Sequence, residues 1–175
     1  MADDASELFD VVDSADRVIG TAPRGEVHRK GLLHRAVHIL VKRANGDLFI
    51  QKRSAAKDTH PLKWDSSASG HLDAGESYAA AAVRELEEEL GVVGAEPVFL
   101  AKIAAGPSTD HEFVEVHGLR HEGPFRLHPG EISGGRWLAP VELSAWIERD
   151  PDAFAPGFRT VLQSVRYWAV SSPMR

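Results

Sequence analysis

The sequence contains no cysteine among its 175 residues. This absence excludes a disulfide framework, a thiolate metal site and a cysteine nucleophile. The chain also lacks an apolar run of the roughly 20 residues that a membrane-spanning helix needs. Its first residues, MADDASELFD, are acidic where a secretory signal would be basic and then apolar. We therefore expect a cytoplasmic protein that does not contact a membrane.

An excess of positive charge is also missing, because the formal net charge is −6. Proteins that bind a nucleic-acid polymer usually present a basic face to its phosphates, so we do not expect such a partner. A small anionic substrate remains compatible with this charge if divalent cations bridge it to the protein. The content of 43% hydrophobic and 26% charged residues is ordinary for a globular chain.

The length indicates one domain over residues 1–175, since two domains would each have a small core. No internal repeat, low-complexity tract or linker divides the sequence. We expect the acidic residues 1–7 to be free of fixed structure, which is the default for a chain end. A homodimer is compatible with a domain of this size, although the sequence identifies no interface.

Apolar patterning predicts strands that alternate with helices. The predicted strands are Leu8–Val12, Arg17–Ala22, Ala36–Lys42, Leu48–Lys52, Trp64–Gly70, Pro97–Ala104, Glu112–Leu119 and Gly135–Leu138. Turn residues at 13–16 and the dipeptide Asn45-Gly46 each indicate a hairpin. Residues 23–31 are interpreted as a helical turn or a loop, and residues 54–63 as a loop. The predicted helices are 76–91, 141–148 and 158–170, so the fold class is α/β with a central sheet covered by helices.

The helix at residues 76–91 carries closely spaced carboxylates. Its apolar residues recur at helical spacing: Ala79, Val83, Leu86 and Leu90. Glu85, Glu88 and Glu89 lie off this stripe at positions i, i+3 and i+4, so their carboxylates project from one helical face. Hard cations such as Mg²⁺ or Mn²⁺ relieve the repulsion among such anions. A glutamate run is also typical of a solvated surface, which is how we interpret Glu87.

A spaced motif surrounds these carboxylates in GHLDAGESYAAAAVRELEEELGV, residues 70–92. Its fixed positions are Gly70, Glu76, Arg84, Glu85, Leu86, Glu88, Glu89, Gly91 and Val92. Arg84 stands one turn before Glu88 and can orient a carboxylate through a bidentate contact. Gly70 and Gly75 allow the preceding loop to approach the helix. The motif is that of the Nudix box, and the chain resembles the Nudix hydrolases, whose fold is an α/β/α sandwich with a central mixed sheet.

This resemblance implies a metal-dependent pyrophosphohydrolase, in which water attacks a phosphorus of a diphosphate substrate and Mg²⁺ or Mn²⁺ is the cofactor. The expected metal ligands are Glu85, Glu88 and Glu89, with Glu112, His71 and His34 as further candidates. Glu88 and Glu112 are the candidate general bases. Glu76 supports the geometry of the loop or a water ligand, and Arg84 orients the carboxylates. Substrate contacts are predicted for Lys52, Arg53 and Trp64, although each of these also fits a structural role.

The flanking sequence resembles the Nudix branch that contains isopentenyl-diphosphate isomerase and its hydrolase-like bacterial relatives. This resemblance is carried by GLLHRAVHILV at 31–41, by the segment 50–78, and by DAFAPGF at 152–158. Isomerases hold a metal with two upstream histidines, one histidine after the box glycine and two downstream glutamates.

The isomerase ligand pattern is matched only in part. His71 follows the box glycine as the pattern requires, and His34 lies at one of the upstream positions. His28 departs from the other upstream position by one residue in spacing, so we interpret it as structural. Asp110 and Glu112 resemble the downstream acidic pair, with aspartate in place of the first glutamate.

Two alternatives to a hydrolase stay open. An isomerase-like enzyme is disfavoured because Ser69 stands where the isomerases have their catalytic cysteine, and a hydroxyl does not replace a thiol of lower pKa. A Nudix-fold sensor that binds a ligand without turnover is the other alternative. Such sensors often lose box carboxylates, and this chain retains every one of them.

Overall fold

A computed structural model describes residues 4–166 of the chain. The strands are β1 (Leu8–Val12), β2 (Val18–Pro23), β3 (His34–Lys42), β4 (Leu48–Arg53), β5 (Trp64–Asp65), β6 (Ala68–His71), β7 (Val98–Ile103), β8 (Glu112–Arg120) and β9 (Ile132–Leu138). The α-helices are α1 (Arg24–Lys30), α2 (Tyr78–Leu90), α3 (Pro140–Arg149) and α4 (Pro156–Ser164). Within residues 4–166, no helix is both long and apolar enough to cross a membrane.

Seven of the strands form one mixed sheet, in which β5, β4, β3, β8 and β7 follow one another. β3 runs parallel to β8, and the other pairings in this sheet are antiparallel. β6 pairs with the first half of β3, and β9 pairs with β4. This register places His34, the first residue of β3, opposite Glu112, the first residue of β8.

Helices cover both faces of the sheet, which confirms the predicted α/β/α sandwich. On one face, Leu86 and Leu90 of α2 pack with Val37 and Ile39 of β3 in a fully buried cluster. On the other face, Leu143 of α3 and Phe158 of α4 belong to a second buried cluster. Burying each such side chain contributes about 1.5–3 kcal/mol, so these two clusters hold the helices that surround the site.

Helix α2 confirms the predicted helix at 76–91 but buries a different face from the one we predicted. The Ser77 side chain caps its start by accepting a hydrogen bond from the Ala80 N–H, and Gly91 ends it with φ of 69°. Ala79 and Val83 are exposed, so their assignment to the buried stripe was wrong. The buried face instead consists of Ala81, Ala82, Glu85, Leu86, Glu89 and Leu90.

Most other predicted elements are confirmed to within three residues of their ends. The predicted strand Trp64–Gly70 is two short strands, because the buried Ser66 and Ser67 between them bond to other strands. Residues 23–31 form helix α1, one of the two interpretations that we left open. The last helix begins at Pro156, and the part of its prediction at 167–170 lies outside the described residues.

The hairpin β1–β2 docks onto the sandwich through Asp16, at its turn. Asp16 accepts hydrogen bonds from Arg35 Nε at 2.6 Å, from the Tyr78 hydroxyl at 2.9 Å, and from Lys102 Nζ. Part of the segment that we expected to lack structure is also fixed, since the Ala5 and Glu7 carbonyls accept backbone hydrogen bonds from α1. The N-terminal segment is therefore built into the domain.

We predict that Asp16→Ala lowers the free energy of unfolding by about 2 kcal/mol, because it leaves partly buried donors without their acceptor. Asp13→Ala, in the same turn, is the control, since its bonds are local to the turn. Urea denaturation of both variants measures the difference. Equal losses would show that Asp16 does not anchor the hairpin.

Candidate active site

Two of the box glutamates are buried side by side against β6. Only 7% of Glu85 and 4% of Glu89 is exposed, whereas 57% of the Glu88 side chain is exposed. Gly70 makes this packing possible, because a Cβ atom at residue 70 would lie 1.9 Å from Glu85 Oε1. Glu85 and Glu89 therefore do not belong to an ordinary solvated face. Glu87 is exposed, as we predicted.

Burial makes this pair of carboxylates costly to ionise. It raises the pKa of Glu85 to about 7, against the opposing effect of Arg84. Burial and the neighbouring Glu85 raise the pKa of Glu89 as well. Glu89 Oε2 accepts hydrogen bonds from Gln51 Nε2 and from the Ser69 N–H, both at 3.0 Å. Two adjacent buried carboxyls that need a positive charge in order to ionise fit a cation site.

Arg84 connects the box residues to one another. Its Nε and Nη2 atoms donate to the two carboxylate oxygens of Glu76 at 2.9 and 2.8 Å. Its Nη1 atom donates to Glu85 Oε1 at 2.7 Å, and Nη2 also donates to the His71 carbonyl at 3.0 Å. The bond to Glu88 is longer, at 3.3 Å. Arg84 therefore makes the expected bidentate contact to a carboxylate, and its partner in that contact is Glu76.

A second group of metal-binding side chains lies beside the box. His28, His34, His71 and Glu112 each offer one ligand atom, and these four atoms lie within 4.8 Å of one another. Each residue comes from a different element, and the parallel pairing of β3 with β8 brings His34 next to Glu112. His28, which we interpreted as structural, is therefore part of this cluster.

The hydrogen bonds of the cluster set the protons on two of its histidines. His34 Nδ1 donates to the Leu32 carbonyl at 2.9 Å, and the buried Nε2, which has no hydrogen-bond partner, lies 3.5 Å from Glu112 Oε1. Arg24 Nη1 donates to His71 Nδ1, so His71 Nε2 carries the proton and donates to Glu112 Oε1; both distances are 2.9 Å. In the neutral tautomer that the bond to the Leu32 carbonyl selects, His34 Nε2 carries no proton, which is the state that a metal ligand requires.

The pKa values within this cluster follow from burial. Burial lowers the pKa of His71 to about 4, and burial together with Arg24 lowers the pKa of His28. Both imidazoles are therefore neutral at neutral pH. Burial opposes the ionisation of Glu112, but the facing His71 and His34 outweigh it and hold its pKa below the ordinary value. Three imidazoles and one carboxylate form a donor set that fits a divalent metal.

The residues predicted to contact the substrate lie in different surroundings. Arg53 is largely buried, and its donors bond to Asp65 and to Thr59. Trp64 packs edge-to-face on Trp146, and Lys52 lies 5.9 Å from the Trp64 ring. Their roles in binding substrate stay predictions.

Two cavities meet at the candidate site. The first, of about 560 Å³, lies in front of the box glutamates and is called here the acidic cavity. The second, of about 70 Å³, is lined by His38, Glu112 and Phe158 among others and is called the inner cavity. Both cavities have these residues in their walls: Arg24, Lys57, Ser69, Gly70 and His71.

Sequence patterns did not single out three charged residues of these walls. Arg24 bonds to Asp58 and His71, while Lys57 forms an ion pair with Glu131, which lines the acidic cavity. Lys57 lies in a segment without periodicity, so no local signal could have identified it. Asp110, predicted to act with Glu112, instead bonds to His60 Nε2 at 2.8 Å at the edge of the inner cavity.

Comparison with known proteins agrees with this fold. The family model of the NUDIX domain matches residues 32–162 of the chain. The chain belongs to the Nudix family. A Nudix hydrolase of Streptomyces coelicolor is 43% identical over 141 residues, which are 79% of this chain and 78% of that protein. An isopentenyl-diphosphate Delta-isomerase of Nocardia farcinica is 35% identical over 161 residues, covering 88% of this chain and 91% of that enzyme.

The Nudix fold is also shared with a solved structure. The protein DR0079 of Deinococcus radiodurans superposes with a TM-score of 0.74 and 32% identity, covering 82% of this chain and 90% of that one. Relatives named as hydrolases and as isomerases agree with the branch indicated by the flanking sequence. The matched NUDIX domain begins at residue 32, so Arg24 and His28 enter the site from a segment that precedes it.

We predict that Gly70→Ala weakens Mn²⁺ binding by about tenfold or more, because the added methyl group displaces the Glu85 carboxylate. Thermal stability should change little, since the displaced atoms are the end of one side chain. Gly20→Ala is the matched control, because nothing lies within 4 Å of its added Cβ. Isothermal titration with Mn²⁺ measures the affinity, and unchanged binding in Gly70→Ala would contradict the predicted role of Glu85.

The ion pair between His60 and Asp110 predicts a pH-dependent contribution to stability. The hydrogen bond that His60 donates to the Asp110 carboxylate raises the pKa of His60 above its ordinary value. The stabilisation is therefore complete below the unfolded pKa of about 6.5 and is lost as pH rises through the folded value. His60→Asn should lower the free energy of unfolding more at about pH 5.5 than at about pH 9. Urea denaturation at both pH values, with His121→Asn as control, tests this, and an equal loss would contradict it.

Proposed function

We propose that this Nudix protein is a metal-dependent pyrophosphohydrolase acting on a small organic diphosphate. Water attacks a phosphorus of the diphosphate, and the P–O–P linkage breaks. The observation that carries the proposal is the complete box, whose Glu85 and Glu89 are buried together in the wall of the acidic cavity. A buried pair of like-charged groups lowers stability unless it is compensated, which supports a role in binding a cation.

Glu85, Glu88 and Glu89 would hold Mg²⁺ or Mn²⁺, since all three offer oxygen ligands. A divalent ion held there neutralises phosphate charge and lowers the pKa of a bound water. The cluster of His28, His34, His71 and Glu112 offers mostly nitrogen ligands, which suit an ion such as Zn²⁺ better than Mg²⁺ or Mn²⁺. The two groups are thus suited to different metals.

The surroundings of the acidic residues favour Glu88 over Glu112 as the general base. Glu88 is the exposed box glutamate, and its one hydrogen bond to Arg84 is long. Glu112 accepts a hydrogen bond from His71, and its lowered pKa makes it a weak proton acceptor. Both oxygens of Glu76 are bonded to Arg84, so Glu76 and Arg84 position the other carboxylates.

Arg24 and Lys57, in the wall that the two cavities share, supply positive charge for the phosphates of the substrate. Arg24 and Lys57 both line the acidic cavity, and each is held by a carboxylate partner, Asp58 and Glu131 respectively. A diphosphate that lies along this wall reaches the box glutamates while its organic end points toward the inner cavity. These two residues are therefore stronger candidates for phosphate contacts than Lys52, which lines neither of these cavities.

Glu88→Gln should lower the rate of hydrolysis by about 100-fold or more, because the amide cannot accept the proton of the attacking water. Glu87→Gln, one residue away and outside the motif, is the matched control and should keep its activity. Phosphate release from a panel of diphosphates with Mg²⁺ or Mn²⁺ measures both.

Three outcomes of this assay separate the candidate functions. Metal-dependent release that is lost in Glu88→Gln supports the hydrolase. Tight binding of a diphosphate without turnover would support a sensor instead. Double-bond migration in isopentenyl diphosphate would support an isomerase, against the expectation from Ser69.

A further inference from the structure

The inner cavity contains a histidine that the chemistry at phosphorus does not use. His38 lies in the middle of β3, is 8% exposed, and lines the inner cavity. Its Nδ1 atom bonds to the Ser66 hydroxyl at 2.7 Å, and Asp65 Oδ1 lies 3.7 Å from the same atom. His38 is not part of the metal-binding cluster, which consists of other side chains.

His38 retains one unused hydrogen-bonding atom. Within residues 4–166, its Nε2 atom has no hydrogen-bond partner, since Ser66 occupies only Nδ1. If Ser66 donates, Nε2 carries a proton and donates; if Ser66 accepts, Nε2 is an acceptor. A hydroxyl group can pair with Nε2 in either case, because it both donates and accepts.

A chain of polar contacts fixes His38 in place. Arg53 Nη1 donates to Asp65 Oδ2 at 3.1 Å, and Arg53 also bonds to the Thr59 carbonyl and hydroxyl. The Asp65 side chain in turn accepts the N–H of Ser66, the partner of His38. A histidine held in one orientation by such a network selects among ligands more strongly than a mobile side chain does.

The size and lining of the inner cavity limit what can enter it. Its volume of about 70 Å³ is well below the roughly 300–1,000 Å³ of pockets for drug-sized ligands. Ala36, Val114 and Phe158 belong to its apolar wall, but most of its lining is polar or charged, and Thr59, Ser69 and Thr109 add hydroxyl groups. A short alcohol fits this space, whereas a nucleoside does not.

We propose that the inner cavity is the subsite for the organic end of the substrate, and that His38 selects a short, hydroxyl-bearing alkyl diphosphate over a hydrocarbon one. This rests on the proposed function. In the reaction, the oxygen of water bonds to the terminal phosphorus and the bridging P–O bond breaks. The alkyl monophosphate leaves with the electron pair, and the proton of water passes to the general base. His38 contacts only the alkyl group.

The test compares two diphosphates that differ in one group. 3-Hydroxypropyl diphosphate and n-butyl diphosphate have alkyl groups of equal length, with a hydroxyl in the first where the second has a methyl. We expect the wild-type protein to prefer the hydroxylated compound by about tenfold or more in kcat/KM. His38→Phe should bring this ratio close to one, and His38→Gln, which keeps a hydrogen-bonding side chain, should retain most of it. His38→Leu replaces His38→Phe if the larger ring prevents folding.

Each remaining outcome is decisive. Cleavage of both compounds at equal rates by the wild type, or a preference that His38→Phe and His38→Leu leave unchanged, would overturn the role of His38. Cleavage of ADP alone would overturn the inner cavity as the subsite while leaving the hydrolase intact. Failure of the wild type to cleave either compound or ADP with Mg²⁺ or Mn²⁺ would count against the proposed function itself.

Discussion

The site depends on two glutamates, Glu85 and Glu89, that lie buried next to each other between helix α2 and strand β6. Two adjacent carboxyls in a low-dielectric environment resist ionisation, so their presence lowers stability unless a cation joins them. Several other features follow from this pair. Gly70 leaves room for the Glu85 carboxylate, Arg84 donates a hydrogen bond to it, and Gln51 donates one to the Glu89 carboxylate. The residues of the Nudix box thus allow strand β6 and helix α2 to bury two carboxyl groups side by side.

The fold places a second, chemically different group of ligands on the far side of β6. The parallel pairing of β3 with β8 brings His34 and Glu112 together, and β6 adds His71. The fourth member, His28, comes from the N-terminal segment, which precedes the matched NUDIX domain and docks through Asp16. The box glutamates and the histidine cluster are thus separated only by strand β6. Arg84 also contacts the backbone of this strand, by donating to the His71 carbonyl.

The sequence predicted the sandwich, helix α2 and the residues of the box, because motif spacing and strand alternation are local properties. It did not predict which face of α2 is buried, since four consecutive alanines make several faces equally apolar and only the sheet decides between them. The position of His28 was missed because helix α1 sets it by tertiary packing and not by spacing from β3. The partners of Arg53 and Lys57 depend on the path of an irregular loop, which carries no periodic signal.

The central claim, that the buried glutamate pair is a cation site, can be tested directly by crystallography. Crystals grown with Mn²⁺ would be measured for anomalous scattering near the manganese absorption edge. The account predicts a peak between the carboxylates of Glu85, Glu88 and Glu89, at about 2.0–2.3 Å from their oxygens. A peak at the histidine cluster with none at these glutamates, in crystals where the helix is ordered, would contradict it.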